Sequence, residues 1–190
     1  AYAQNIFNSG DMYYRAHQFS NAAKQYEEGL KAIRDNGDIR DQLYARYYKL
    51  WEESITKDKR FREIYSYVSA IANTEKQYTE EELNKAIGLG EEGLKIVPNS
   101  NALGSALHKV KWKLSELKRQ KELQAQCEAK WQEGTTLFNQ KRPQEAMIKF
   151  KENLACAPNN QQRQQYVIQI EQSIRQQEAQ RQACMNIRKQ

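Results

Sequence analysis

Apolar and small residues recur along this chain at spacings of three and four, the period of an amphipathic helix. The clearest stretch carries Trp131, Gly134, Leu137 and Phe138. It breaks at Gln140-Lys141-Arg142-Pro143 and resumes with Ala146, Phe150 and Leu154 until Pro158. That pattern predicts two antiparallel helices joined by a tight turn, the second stopped by proline. Near the N-terminus, Phe7, Gly10, Tyr13 and Tyr14 lead into a turn near His17-Gln18, and Phe19, Ala22, Tyr26 and Leu30 follow. Three longer stripes predict long helices over 38–56, about 100–126 and about 160–187. They are Leu43, Tyr47, Leu50 and Ser54; Leu103, Leu107, Val110, Leu114 and Leu117; and Val167, Ile170 and Ile174. Residues 45–73 also read as a helix pair, with Trp51, Ile55 and Phe61 against Tyr65 and Val68.

These stripes repeat. Glu27-Glu28-Gly29-Leu30-Lys31 recurs intact as Glu91-Glu92-Gly93-Leu94-Lys95, an offset of 64, and a further 60 reaches Lys151-Glu152-Asn153-Leu154-Ala155. Ala22, Ala86 and Ala146 then align, as do Tyr14, Tyr78 and Phe138, and Phe7, Ile71 and Trp131. Leu107, Val110 and Leu114 align with Val167, Ile170 and Ile174. The expected architecture is all-α: one helical-repeat domain, 1–190, in three units of about 1–60, 61–126 and 127–190. Each unit holds a helix pair plus a long third helix, about nine helices in all, forming a solenoid or curved bundle. A repeat of this kind buries its faces only against neighbours, so several copies are needed.

The window 127–160 resembles a tetratricopeptide repeat. It has an early aromatic, Gly134 in the first helix, Leu137-Phe138, Ala146 between the helices, Phe150, Leu154 and the closing Pro158-Asn159-Asn160. Window 3–36 resembles it too but lacks the closing proline, and window 67–100 departs further, with Thr74 for the glycine and Gly90 for the second-helix aromatic. The resemblance implies a protein-binding scaffold in which the first helix of each pair lines a groove for a partner's peptide or helix. Carried over position by position, the candidate groove residues are Phe7, Asp11, Tyr14, Ile71, Glu75, Tyr78, Trp131, Thr135 and Phe138. The competing reading makes these aromatics ordinary inter-helix packing. The Lys/Asn pattern with which some family members clamp a terminal carboxylate does not occur.

Composition narrows the function. Mean hydropathy is −0.98, low enough to raise disorder, but 11 Tyr, 5 Phe and 3 Trp oppose that reading. No segment is apolar enough to span a membrane. Residues 1–100 carry 14 basic and 16 acidic side chains, and residues 101–190 carry 16 and 8. The basic run Lys109, Lys111, Lys113, Lys118, Arg119 and Lys121, with Trp112 among them, is the candidate patch for the alternative function, association with nucleic acid. A third reading is a structural spacer in a longer chain. No phosphate loop, nucleophile elbow or metal-binding spacing occurs, so neither an enzyme nor a cofactor or metal site is expected. Glu80-Glu81-Glu82 reads as the acidic first turn of a helix. Cys127 and Cys156 fall near facing helix ends, either as a disulfide or as two small buried residues. Ala1-Tyr2-Ala3 resembles the tail of a signal cleavage site, and secreted, periplasmic and cytoplasmic locations all stay open. The last helix turns polar after Ile174, and of 22 Gln, 11 lie in the last 30 residues. It reads as a solvated cap or as an arm that docks elsewhere.

Overall fold

The computed structural model describes residues 2–35 and 41–187. Within them every regular element is an α-helix: α1 (Tyr2–Arg15), α2 (Phe19–Asp35), α3 (Asp41–Asn73), α4 (Glu80–Ile96), α5 (Asn101–Asn139), α6 (Pro143–Cys156) and α7 (Gln161–Ile187). The all-α class holds. The expected nine helices are seven among the described residues, because two pairs are fused. Neither a glycine nor a proline interrupts 41–73, so the long helix of the first copy continues as the leading helix of the second. The helix pair read in 45–73 is likewise one helix. Residues 101–139 hold two glycines and no proline, and the second long helix continues into the third copy in the same way. Residues 38–40, the start of the first predicted long helix, lie outside the described residues.

The chain divides into two compact units, 1–115 and 116–190. In the first, α1, α2 and the leading half of α3 pack around Phe7, Ala22, Tyr26, Leu30, Ile33 and Tyr47. The Phe7 and Tyr47 rings stack at 3.8 Å, and Lys57 meets Tyr14 further along, so α3 runs parallel to α1. The second half of α3 changes partners. Arg60 forms a bidentate bond to Glu92 of α4 at 2.8 and 3.0 Å, and Ile64 lies over Gly93. Leu103 and Leu107 of α5 pack on Gly93 and Gly90 of α4. Two three-helix sets therefore share α3. The helix changes partners near Ser54, which is fully buried and donates its hydroxyl to Leu50 O at 2.7 Å.

In the second unit the end of α5 packs with α6 and α7 around Ala146, Met147, Phe150, Val167 and Ile170, with Trp131, Leu137, Leu154 and Ile174 at the edge. Cys127 and Cys156 are joined in a disulfide, with Cα atoms 6.1 Å apart, inside the range such a bond requires. Asn153, fully buried beside it, donates to Cys127 O at 2.5 Å. Arg163 of α7 reaches both Glu128 (2.6 Å) and Asn153 (3.4 Å).

The helix pairs of the first and third copies close identically. His17 N–H bonds Tyr14 O and Gln18 N–H bonds Tyr13 O; Lys141 N–H bonds Phe138 O and Arg142 N–H bonds Leu137 O. His17 and Lys141, equivalent in the repeat, are the two non-glycine residues with positive φ among those described, at 57° and 62°. This is a Schellman closure with a side chain at the left-handed position. The second copy closes differently. Its α3 ends at Asn73, where Lys113 of α5 donates to Ile71 O (2.7 Å) and Thr74 O (2.5 Å). An ammonium there satisfies end carbonyls and complements the helix dipole. Helix α4 begins only at Glu80, behind a Thr79/Glu82 capping box.

Candidate functional site

The nine candidate groove residues separate by environment. Phe7 and Ile71 are buried, at 0% and 5% exposure, and act as core rather than as surface anchors. Each occupies the inward stripe of its helix, which the neighbouring α3 and α5 cover. Asp11 accepts the Tyr26 hydroxyl at 2.8 Å; burial and then the Asp11 carboxylate push the Tyr26 phenol well above its ordinary range. Tyr14 accepts from Lys57 Nζ at 2.6 Å, with the ammonium 4.7 Å from the Tyr14 ring centre and 5.2 Å from that of Phe19. Burial pulls the Lys57 ammonium down, but Tyr14 and Glu53 outweigh it and leave its pKa raised.

Glu75 and Tyr78 fall in the segment between α3 and α4, not on a first helix as the repeat alignment placed them. The capping box moves the helix start and leaves them in the connection. Glu75 is exposed, and Tyr78 is half-buried with Lys76 and Lys113 5.5 and 5.6 Å from its ring centre. The acid run Glu80-Glu81-Glu82 forms the first turn of α4.

The third copy supplies the most open arrangement. Trp131 is half-buried against Phe150 at 4.7 Å and Tyr166 at 5.6 Å, with Arg163 4.6 Å over its ring. Thr135 donates its hydroxyl to Trp131 O at 3.0 Å. Phe138 is 36% exposed and lines a groove of about 550 Å³. Pro143 and Ile174 share the groove's apolar surface, and Lys141, Arg142, Glu145, Glu178 and Arg181 ring it. Arg142 pairs with Glu145 through both nitrogens, and Glu178 accepts from Gln144 at 3.1 Å. Sequence alignment marked Phe138 but not the other side of the groove. Ile174 read only as stripe, although α7 follows α6 after four residues and must fold back alongside it.

The basic run does not present one free cationic face. Lys109 donates to Asn73 Oδ1 and Lys111 to Glu91 Oε1, both at 2.9 Å. Lys113 closes α3, and Arg119 forms a bidentate pair with Glu116 at 2.9 and 2.8 Å. Hydrogen bonding from Lys111 holds the Glu91 carboxyl below its ordinary value. Lys118 and Lys121 lie on the exposed stretch that follows. Trp112 stays 63% exposed. Among the described residues no helix is long and apolar enough to cross a membrane, and no group of acidic, His and Cys side chains could hold a metal ion. No family model matches the chain, and no curated protein or solved structure matches it either.

Proposed function

We propose that this chain is a non-catalytic protein-interaction module of tetratricopeptide-like type, its repeats arranged as a solenoid, and that it holds a peptide or helix of a partner protein. The observation that carries this reading is the groove at Phe138. It joins an exposed aromatic, an apolar floor and a rim bearing both charges, and of the nine positions carried over from the resemblance Phe138 lines it. Exposed aromatics beside partly closed apolar surface are the usual anchors of interfaces. The nucleic-acid alternative has less support, because Lys109, Lys111, Lys113 and Arg119 already bond groups of the chain.

The test compares affinity capture from the native host by the wild-type chain and by a Phe138→Asp/Ile174→Asp variant, with bound proteins identified by mass spectrometry. A partner held by the wild type and lost by the folded variant is the expected result. Identical capture by both overturns the groove assignment. Salt-sensitive binding of nucleic acid in a mobility-shift assay would instead favour the basic face.

A further inference from the structure

Helix α7 carries all its charges on one side. At about 100° per residue, Arg163, Glu171, Arg175, Glu178 and Arg181 fall with Val167, Ile170 and Ile174 in a sector of about 140°. Val167 and Ile170 in that sector belong to the core shared with α6. The opposite sector, about 100° wide, contains Gln162, Gln165, Gln169, Gln172, Gln176 and Ala179, all exposed and without a charged neighbour on that face. None of these Gln side chains has a partner within the chain among the described residues.

A face built only for solvation ordinarily mixes both charges, as α2 does with Lys24, Glu27, Glu28 and Lys31. The outer face of α7 does the opposite in the half of the chain that carries 16 basic against 8 acidic side chains. We propose that this face is the contact between two copies of the chain, α7 lying antiparallel against its counterpart about a two-fold axis. An isologous contact sets each residue against the same surface. Like charges there repel, while a glutamine amide both donates and accepts and so complements itself. Antiparallel packing also opposes the two helix dipoles, and Ala179 and Ala183 admit close approach.

Sedimentation equilibrium of the full chain tests this. The wild type is expected to move from one chain mass towards twice that mass as concentration rises. The Gln169→Glu/Gln172→Glu/Gln176→Glu variant keeps helix-forming residues, so its circular dichroism is expected to be unchanged while its dimer weakens roughly tenfold or more from like-charge contact. In a Cys184→Ser background, Gln172→Cys is expected to form an intermolecular disulfide on mild oxidation. A chain that stays monomeric at every concentration, or a dimer indifferent to the three glutamates, overturns the proposal. The Phe138 groove lies on the charged side of α7, so its Asp variants leave this assembly intact, and the two ideas fail separately.

Discussion

A methyl group added at Gly134 would sit 2.7 Å from the Phe150 ring and 3.3 Å from Ala146 O; at Gly10 it would sit 2.5 Å from the Tyr26 ring. Both rings are fully buried and have nowhere to retreat. Gly134→Ala is therefore expected to destabilise the chain by about 1–3 kcal/mol, the usual cost of overpacking. Gly88 on α4 meets nothing within 4 Å, and Gly88→Ala is expected to stabilise by about 0.5–1 kcal/mol through helix propensity. The same urea titration reads both, and equal effects would refute the packing account. Lys141 is the complementary case. Its φ of 62° is a conformation that costs an L side chain about 1–2 kcal/mol, so Lys141→Gly is expected to raise the denaturation midpoint. The equivalent change at His17 is less clean, because His17 Nδ1 also meets Ile96 O at 3.1 Å.

The elements show where sequence patterning suffices and where it fails. The helix pairs of the first and third copies were legible because each has a three-four stripe, a small residue at the crossing and a break that the turn chemistry supports. The fusions were not. A stripe that changes partners along one helix, as α3 does between Tyr47 and Ile64, looks like two helices when only the apolar positions are followed. The absence of glycine or proline was the signal that it is one. The second-copy error had a local signal as well. Thr79-Glu80-Glu81-Glu82 is a capping-box sequence that marks a helix start and so excludes Glu75 and Tyr78 from the helix before it. The Lys113 closure of α3 had none, since its partners lie 39 and 42 residues away. Thr79→Ala is expected to cost about 1 kcal/mol. The Thr79 backbone N–H donates to Glu82 and holds its carboxyl below the ordinary carboxylate range. Its stabilisation is thus present above the ordinary carboxylate pKa and lost as pH falls through the lowered folded value. Protection of the Thr79 amide, corrected for intrinsic exchange and followed by NMR against pH, is expected to be lost only in that acidic window.

For the molecule as a whole, each of the two compact units has its own core cluster. The second unit has a short core cluster and a glutamine-rich last helix, and its disulfide closes a loop of sequence separation 29. Chain-entropy reasoning assigns such a link about 3–4 kcal/mol. Reductant is expected to lower the unfolding temperature of the second unit and leave that of residues 1–115 in place; calorimetry with and without reductant separates the two transitions. Residues 118–126 of α5 are exposed on every side, so their helix has little tertiary support. Limited trypsin digestion is expected to cut first at Lys118, Arg119 or Lys121, and mass spectrometry of the early fragments would show any earlier site.

The sharing of α3 changes where this chain can be cut. In most proteins a safe seam is a loop. Here the loop before α5 is a poor one, because a fragment ending there would strip Leu103 and Leu107 from Gly93 and Gly90 of α4 and leave Lys113 missing from the α3 terminus. A fragment ending in mid-helix, within 118–126, keeps every one of those contacts. The boundary between the two units lies inside α5, and a shuffled or shortened version should be spliced there.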